Sequence, residues 1–409
     1  MKLLKRAFCL LAALLTAALL LLPAAAADYA LDTDEAYYRK YSGKGITLNV
    51  YNWGEYISVD DGDGQFDVNR EFEALTGIKV NYTTFASNEE LYAKLKSGGS
   101  SYDIIIPSDY MISRMINEGM LEPLNLDNIP NFSLIDPDYT DMEYDPGNHY
   151  SVPYTWGTVG IIYNTTLVDE EDDVASWDIL WNEKYANNIL MFSNSRDAFA
   201  IALAKLGYSF NTTDLEKWDE AAELLRRQKP LVQAYVMDEI FDKMGGGEAA
   251  LAPYYAGDAL TMIEDNPDLA FVVPREGTNL FFDAVCIPKG AKNHDAAEMY
   301  INFLCESVVA AANIETIGYS SPHSGAKALL DEEVLESPIS YPPQEVIAKS
   351  QVFTSLPDSV TSYVDSLWSN IMGATNDSPW ITPVLMVVAL GLSVLINVTR
   401  TARKNKSKY

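Results

Sequence analysis

Cysteine, histidine and basic residues are scarce in this sequence. Among 409 residues there are 3 cysteines and 3 histidines, and neither a G-x-S-x-G nor an H-E-x-x-H motif occurs. Serine hydrolases and zinc proteases are built around these motifs, so their absence argues against both classes of enzyme. Lysine and arginine number 29 against 58 aspartates and glutamates, which gives a net charge of −29. Because so acidic a chain repels nucleic acid and attracts cations, we expect no nucleic-acid partner.

Beyond residue 27 the chain keeps only two cysteines. Cys286 falls in a strand-like run over residues 284–288, and Cys305 falls late in a helix-like run. A free cysteine behaves as a small apolar side chain, so we expect two buried thiols, with a disulfide between them as the alternative.

The first 27 residues have the order of a secretory signal peptide. Lys2, Lys5 and Arg6 precede an apolar run over residues 7–22, and alanines follow at 24–27. We predict a signal peptide over residues 1–27, either cleaved or retained as a further anchor, and a polar linker over residues 28–45.

A second apolar segment lies near the other end. Residues 381–399 carry no charge, and a helix of this length spans about 28 Å, close to the hydrocarbon thickness of a bilayer. Five basic residues follow, and such residues mark the cytoplasmic side. The sequence predicts a linker over 373–380, a single transmembrane helix over 381–399 and a basic cytoplasmic tail over 400–409. The folded part would then lie outside the cytoplasm at the cell membrane. A buried or amphipathic C-terminal helix is the alternative.

Charge is divided in the same way along the chain. All 58 acidic residues lie within residues 28–377, whereas 8 of the 29 basic residues lie in the two terminal segments. The part between them therefore has 21 basic residues against 58 acidic ones, a net charge of −37.

Strand-like and helix-like patterns alternate in the first part of the predicted fold. Strand-like runs at residues 46–50, 78–82 and 102–106 are separated by helix-like runs at 72–76 and 87–96. The second helix opens with Ser87 and Glu90, a capping-box pair. This rhythm predicts parallel strands with helical crossovers, and similar elements continue to residue 305. We therefore predict an α/β protein of two lobes.

Aromatic and polar side chains follow two of these strands. The stretches are Trp53-Gly-Glu-Tyr56 and Ser108-Asp-Tyr110. Ligands of open α/β sheets bind at the carboxyl ends of strands, and aromatic faces beside a carboxylate suit an organic cation. The two stretches are thus candidate lips of one cleft, while plain aromatic packing is the alternative for Trp53 and Tyr56.

An acidic insert over residues 60–67 has some features of a calcium loop. Asp61, Asp63, Gln65 and Asp67 alternate, but Phe66 stands where an EF-hand needs glycine. Calcium binding stays an open alternative for this insert.

Several further blocks occur in one order along the chain. They are Tyr51-Asn-Trp-Gly-Glu-Tyr56, Thr76-Gly-Ile-Lys-Val80, Leu91-Tyr-Ala-Lys-Leu-Lys96, Tyr102-Asp-Ile-Ile-Ile-Pro-Ser108, Val152-Pro-Tyr-Thr-Trp-Gly157, Lys205-Leu-Gly-Tyr208 with Asn211-Thr-Thr-Asp214, and Glu315-Thr-Ile-Gly-Tyr319. In these blocks the chain resembles the periplasmic spermidine/putrescine-binding proteins, the solute receptors of ABC importers. The resemblance extends from about Leu48 to Phe353.

The resemblance implies a two-lobed type II periplasmic binding protein fold with hinge strands and a central cleft. Lobe 1 would comprise residues 46–156 and 282–328, and lobe 2 residues 157–281 and 329–372. It further implies a monomeric receptor that binds putrescine and/or spermidine and delivers it to the permease subunits of an ABC importer. No cofactor, metal or catalytic residue is implied.

Site residues in the first lobe follow from the same resemblance. Trp53 and Tyr56 would flank the methylene chain of the polyamine, and Glu55 would lie near an amine. Ser108 and Tyr110 would line the opposite lip, with Asp109 as a further acid.

The remaining implied residues come from the second lobe and the strands that join the lobes. Asp197 would hold an ammonium group, Tyr255 would form a wall, and Asp258 matches an acid of putrescine receptors. Phe281 and Asp283 resemble the aromatic-x-Asp pair that holds an amine, and Tyr319 the aromatic residue beyond it.

The chain departs from the family pattern in three places. Asn194 replaces a second acid of the spermidine receptor, Phe281 replaces a tryptophan, and the glutamine expected near residues 351–353 is not clearly placed. The loss of the acid at 194 affects the third amine of spermidine more than it affects a diamine.

Elementary electrostatics favours the same residues. A buried ammonium group without a carboxylate costs several kcal/mol, so an alkyl diammonium needs an acid at each end. Asp283 lies between Phe282 and Ala284 in an apolar strand, which indicates a buried carboxylate. For Glu55 and Asp109 a solvated surface position is the alternative.

Two other functions use the same sequence features. Tyr254 and Tyr255 form an adjacent pair, as in ferric-ion receptors of this superfamily, but none of the histidines His149, His294 and His323 falls in a predicted cleft stretch. An anchored hydrolase with paired carboxylates is the enzyme alternative, and it lacks any recognisable catalytic motif.

Overall fold

A computed structural model describes residues 31–60, 62, 64–98 and 101–373. The predicted signal peptide, transmembrane helix and cytoplasmic tail lie outside the described residues. Among the residues that are described, no helix is both long enough and apolar enough to cross a bilayer.

Within the described part of the chain, nine strands form the sheet system. They are β1 (Thr47–Trp53), β2 (Lys79–Phe85), β3 (Ile104–Ile105), β4 (Ser151–Asn164), β5 (Ile189–Phe192), β6 (Val232–Val236), β7 (Leu251–Tyr255), β8 (Leu269–Val272) and β9 (Leu280–Cys286). Their order is β2-β1-β3-β9-β4-β7-β5-β6, and β8 pairs with β4. β1 pairs in parallel with β2 and β3, which confirms the predicted βαβ arrangement.

The long strand β4 pairs with the strands on both sides of it in this order. Its first part, from Ser151 to Thr158, pairs antiparallel with β9, and its last part, from Val159 to Asn164, pairs with β7 and β8. β9 in turn pairs with β3. The chain thus crosses along β4 from the first half of the sheet (β2, β1 and β3) to the second half (β7, β5 and β6).

Helices cover both halves of the sheet. The α-helices are α1 (Glu35–Tyr38), α2 (Val68–Thr76), α3 (Asn88–Lys96), α4 (Asp109–Asn117), α5 (Ser195–Leu206), α6 (Leu215–Gln228), α7 (Glu239–Gly245), α8 (Ala256–Asp265), α9 (His294–Leu304), α10 (Ser307–Ile317), α11 (Ser324–Lys327), α12 (Glu332–Glu336), α13 (Gln344–Ile347) and α14 (Asp358–Gly373). Short 3₁₀ segments are Arg39–Tyr41, Leu126–Asn128, Pro130–Leu134, Pro137–Tyr139, Trp177–Trp181, Glu183–Tyr185 and Lys229–Leu231.

Local sequence signals explain where several helices begin and end. The Ser87 hydroxyl accepts a hydrogen bond from the Glu90 N–H at the start of α3, as the capping-box pair predicts. Asn194 caps α5 in the same way, accepting from the Arg196 N–H. Gly77 and Gly207 end α2 and α5 in the left-handed conformation that glycine adopts without strain.

Apolar side chains form separate clusters on the two halves. One cluster joins α2 and α9 through Phe72, Tyr300 and Phe303, and the largest one joins β5 to α5 and α6 through Phe199 and Trp218. A third cluster lies on the other face of the first half, around Tyr51, Ile105 and Phe282. Each half therefore has an apolar cluster of its own, and the largest cluster also includes Tyr56 and Ile314.

The segment predicted to be a linker is part of this fold where it is described. Asp34 caps α1, Tyr38 is buried, and the Tyr38 hydroxyl donates a 2.6 Å hydrogen bond to Glu306. Aromatic packing therefore holds the described part of residues 28–45 on the core.

Two smaller sequence questions are answered only in part. Cys286 and Cys305 are both buried and free, which confirms two unpaired thiols. In the acidic insert, Asp60 binds Arg70 and Asp67 caps α2. Asp61 and Asp63 lie outside the described residues, so calcium binding stays an untested alternative there.

Candidate functional site

A cavity lies between the two halves of the sheet, beyond the ends of β1, β3, β5 and β7. It contains about 580 Å³ of atom-free space, part of which is continuous with solvent. Its lining residues are Trp53, Gly54, Tyr56, Asn88, Ser108, Asp109, Tyr110, Asp197, Met237, Asp238, Tyr254, Tyr255, Asp258, Asn279, Phe281, Asp283, Tyr319 and Phe353. Eleven of the twelve predicted site residues are among them, although their role in binding stays a prediction.

Helix starts bring most of the carboxyl groups to the cavity. Asp109, Asp197 and Asp258 each occupy the first turn of a helix that follows a strand, and Asp238 is the residue before α7. The partial positive charge at a helix N-terminus favours an anion at such positions. The lining therefore combines acidic side chains with helix N-termini, whose partial positive charge stabilises the ionised form of these side chains.

Asp283 is an acid of the cavity with one carboxylate oxygen that has no hydrogen-bond donor among the described residues. The Tyr56 hydroxyl donates a 2.6 Å hydrogen bond to Oδ2, and the same hydroxyl also contacts Thr155. Oδ1 is buried and has no partner within the described residues. Burial raises the pKa of Asp283 to about 6, against the opposing effect of the nearby Ser108 and Tyr56 hydroxyls.

Asp197 is held by neutral donors on both oxygens. Tyr255 donates to Oδ2 at 2.8 Å and Asn194 at 2.6 Å, while Asn279 donates to Oδ1 at 3.4 Å. Burial raises the pKa of Asp197 to about 6 as well. Asp197 thus adds negative charge to the cavity and fixes the position of the Tyr255 ring.

The carboxyl groups of Asp258 and Asp109 differ in their hydrogen bonds within the protein. Burial raises the pKa of both well above the usual range. The Asp109 oxygens accept from the backbone N–H groups of Tyr110 and Phe282, so this side chain ties α4 to β9. Asp258 has no such backbone bond within the described residues, and the nearby Tyr319 hydroxyl opposes the effect of burial on its pKa.

Aromatic rings form a continuous wall along the cavity. Tyr56 meets Tyr319 edge-on with ring centroids 4.8 Å apart, Tyr319 meets Phe281 at 6.0 Å, and Phe281 meets Tyr255 at 5.4 Å. Because side chains alternate along a strand, Phe281 and Asp283 face the cavity together while Phe282 packs toward Tyr139 on the other side.

Among the residues that the structure describes, the lining has five aspartates and no lysine, arginine or histidine. The nearest buried cation is Arg196, which lies outside the lining with its guanidinium carbon 4.6 Å from the Phe353 ring centre. Its guanidinium donates hydrogen bonds to the Asn211 side chain and to the carbonyl of Thr354. It therefore stabilises the segment that carries Phe353 from outside the cavity.

Glu55 is the predicted site residue that the structure does not place in the lining. It is exposed and has a φ of 46°, in the left-handed region that non-glycine residues rarely adopt. That Glu55 lies near an amine of the ligand stays a prediction. Its charge contributes to the raised pKa of Asp238 and Asp258.

Sequence reasoning also missed several lining residues, chiefly Gly54, Asn88, Met237, Asp238 and Asn279. Asn279 precedes Phe281 and Asp283 at the alternating spacing of a strand face, a signal that would have identified it. Its Oδ1 is buried and has no partner within the described residues. Asp238 follows a strand with no motif around it, so nothing in the sequence marked it out.

Comparison with known proteins identifies the family. Residues 68–340 match the model described as a bacterial extracellular solute-binding protein. The chain belongs to this family. None of its three histidines lines the cavity of this solute-binding protein, so Tyr254 and Tyr255 have no histidine beside them for a ferric ion.

Relatives of this solute-binding protein include named polyamine receptors. The spermidine/putrescine-binding periplasmic protein of Salmonella typhimurium is 36% identical over 318 residues, covering 78% of this chain and 89% of the relative. The putrescine-binding periplasmic protein PotF of Escherichia coli is 31% identical over 321 residues, covering 74% and 85%.

Solved structures agree on the fold of this solute-binding protein. The spermidine/putrescine ABC transporter substrate-binding protein PotD of Streptococcus pneumoniae has a TM-score of 0.67 at 39% identity, covering 80% of this chain and 99% of that one. The TpPotD lipoprotein of Treponema pallidum has a TM-score of 0.70 at 28% identity, with the same coverage. The α/β periplasmic-binding-protein fold is thus established.

Proposed function

We propose that this solute-binding protein binds a polyamine, putrescine and/or spermidine, outside the cytoplasm and delivers it to the permease subunits of an ABC importer as a monomer. The observation that carries this proposal is the composition of the cavity, whose described residues offer five carboxyl groups between aromatic rings and no basic side chain. The names of the relatives support the same ligand class.

Unpartnered acceptors make the choice of ligand more specific. Asp283 Oδ1 and Asn279 Oδ1 are buried oxygens without donors in the described part of the chain. A buried acceptor without a donor costs about 1–3 kcal/mol, and more when it is charged. An ammonium group has three N–H donors and a positive charge. It therefore supplies both a donor for these acceptors and a countercharge for Asp283.

The aromatic wall suits the rest of a polyamine. Tyr56, Tyr319, Phe281 and Tyr255 present ring faces and edges to a methylene chain, and a cation near a ring gains roughly 0.5–2 kcal/mol. We assign to Trp53 the same role at the end of β1, where its ring packs against Phe85 at 4.5 Å. A catalytic step forms no part of this proposal.

Ligand capture would use the division of the sheet into halves. We assign residues 46–156 and 282–328 to lobe 1 and residues 157–281 and 329–372 to lobe 2, with β4 and β9 as the hinge strands. The apolar clusters centred on the two halves support two lobes that close on the ligand, with Tyr56 and Ile314 of lobe 1 also packed in the cluster of lobe 2.

We also propose that residues 1–27 direct export and that residues 381–399 anchor the receptor in the membrane. The support is the uncharged apolar run of 19 residues and the five basic residues that follow it. Carbonate extraction of membranes tests the anchor. The full chain should stay in the pellet and a chain ended at residue 380 should be released. Release of both would refute the anchor.

Isothermal titration calorimetry of the purified chain in mild detergent tests the ligand. Putrescine and spermidine should each give saturable heat. 1,4-Butanediol, which has no ammonium group, and lysine, in which a carboxylate stands beside one of the two ammonium groups, should not. Absence of heat and of any thermal shift with both polyamines at millimolar concentration would refute the proposed function. Ferric ion serves as the comparison for Tyr254 and Tyr255, and a visible absorption band on its addition would favour the metal.

A further inference from the structure

An additional acid stands at the mouth of the cavity, on the second half of the sheet. Asp238 follows β6, precedes α7 and lines the cavity, but it is exposed, unlike Asp283 and Asp258. Its carboxylate has no hydrogen-bond or ion-pair partner among the described residues. The resemblance to polyamine receptors assigns no role to this position.

The Asp238 carboxylate reaches across to the first half of the sheet. A Cβ atom built on Gly54 would lie 2.3 Å from Asp238 Oδ2, so the carboxylate packs directly on the Gly54 backbone. Gly54 does not have a left-handed φ, and the positive φ falls on Glu55 instead. An alanine at 54 would therefore have to displace the Asp238 carboxylate, which belongs to the opposite half of the sheet.

The acids of the cavity form a series from its interior to its mouth. Asp283 and Asp258 are buried and Asp238 is exposed. The charges on Asp238 and Asp283 both raise the pKa of Asp258, which places Asp258 within electrostatic reach of each. Partial burial, followed by the charges on Glu239 and Glu55, raises the pKa of Asp238. No basic residue of the lining compensates this series.

Asn194 does not supply the corresponding charge on the other side. It is neutral, its amide donates to Asp197 at 2.6 Å, and its carbonyl oxygen accepts from the Arg196 N–H at 2.9 Å. Both of its polar groups are therefore used within the protein. A third acid for a longer ligand must come from elsewhere in the lining.

We propose that Asp238 is a specificity-determining residue that binds the outermost ammonium group of a triamine, with Gly54 leaving room for its carboxylate. This inference rests on the proposed function of the cavity. Asp283 and Asp258 would hold the two ammonium groups that a diamine also has. Asp238 would therefore raise the affinity for spermidine and not the affinity for putrescine.

The test compares both ligands by calorimetry on the full chain and on Asp238→Asn. We expect the substitution to weaken spermidine binding at least tenfold more than it weakens putrescine binding. The matched control is Glu239→Gln, which removes one negative charge from the next residue, outside the lining. It should change either affinity less than threefold. Gly54→Ala should act like Asp238→Asn, because the new methyl group displaces the carboxylate.

The outcomes separate the inference from the function on which it rests. If the unaltered chain binds neither amine, the proposed function fails. If it binds both, and Asp238→Asn weakens them equally or not at all, only the role of Asp238 is refuted. An equal loss of spermidine affinity in Glu239→Gln would show that removing any negative charge near the cavity has this effect. That result would also refute the role of Asp238. Circular dichroism and putrescine binding show whether each variant is folded.

Discussion

Asp283 combines a hydrogen-bonded oxygen with an unpartnered one in the same buried carboxylate. Replacing it by asparagine keeps the acceptor for Tyr56 but removes the charge that an ammonium group would meet. We expect Asp283→Asn to weaken putrescine binding by about a hundredfold, since a charge left unmatched in a buried site costs several kcal/mol. Calorimetry measures the change.

Glu55→Gln is the natural control for this substitution. It also removes one negative charge, but from an exposed residue outside the lining. Its effect on putrescine affinity should stay within about threefold, as expected for a screened surface charge. Equal losses in the two variants would show that net charge, and not the Asp283 carboxylate, governs binding.

Ligand affinity should fall as the solution becomes more acidic. Burial raises the pKa of Asp197 and Asp283 to about 6 and that of Asp258 well above its usual range. In the empty protein Asp197 and Asp283 therefore each take up a proton as the pH falls through 6, and Asp258 is a third acid that must release its proton on binding. Polyamine binding needs the ionised form, and at pH 5 each group that must release a proton lowers the affinity by about tenfold. Titrations from pH 7.5 to 5 in two buffers of different ionisation enthalpy measure both the affinity and the protons released. A constant affinity would contradict the assignment of these acids.

The same raised pKa has the opposite effect on the stability of the empty protein. A carboxyl with a pKa near 6 when folded and 3.8 when unfolded binds more protons in the folded state between these values, so its stabilising contribution is lost as the pH rises through 6. We therefore expect Asp283→Asn to stabilise the empty protein above pH 7 by about 1–3 kcal/mol. Thermal unfolding should show this gain shrinking toward pH 4. A loss of stability at pH 7.5 would contradict it.

Among the elements of the fold, α8 and the segment after α10 meet through a glycine. A Cβ atom on Gly257 would lie 2.2 Å from the Tyr319 ring, which also packs against Tyr56 and Phe281. Gly257→Ala must displace this ring, so we expect a loss of about 1–3 kcal/mol in stability. Putrescine affinity should fall about tenfold in the same variant. Denaturant unfolding and calorimetry check the two effects.

A second helical glycine provides the comparison. Gly245 is the last residue of α7, and nothing lies within 4 Å of the Cβ that alanine would add. Gly245→Ala should leave putrescine affinity unchanged and leave stability equal or up to about 1 kcal/mol higher, because alanine is the better helix former. A loss comparable to that of Gly257→Ala would show that helix geometry, and not the Tyr319 ring, is responsible.

The sequence predicts the elements better than it predicts their partners. Apolar alternation and caps such as Ser87 and Gly207 identify the strands and helices, because these signals are local. They do not identify α1 or α14, whose short or late patterns depend on tertiary packing, as the buried Tyr38 shows. Glu55 and Asp238 illustrate the limit for the site. Glu55 stands in a motif but outside the lining, whereas Asp238 lines the cavity through a contact with Gly54, which is distant in the sequence.

For the whole molecule, net charge should govern how fast the ligand arrives. The folded part carries 21 basic residues against 58 acidic ones, and a field of this sign attracts a polycation from a distance. Salt shortens the range of that field from about 10 Å at 0.1 M to about 3 Å at 1 M. We expect the association rate constant for spermidine to fall at least several-fold between low salt and 0.5 M, while the dissociation rate constant changes much less.

Stopped-flow tryptophan fluorescence can follow this association, since Trp53 lines the cavity. Putrescine, with two charges instead of three, serves as the control and should show the weaker dependence on salt. An association rate that does not respond to salt would show that only the local carboxylates act on the ligand.

The two buried thiols have a practical consequence. Burial raises the pKa of Cys305 to about 12 and that of Cys286 well above its usual value, so neither presents a reactive thiolate at neutral pH. A cysteine introduced at Val59, which is 41% exposed and three residues beyond Tyr56, would therefore be labelled by a maleimide dye in preference to either of them. With an environment-sensitive dye at that position, this receptor lends itself to use as a reagentless optical sensor for polyamines.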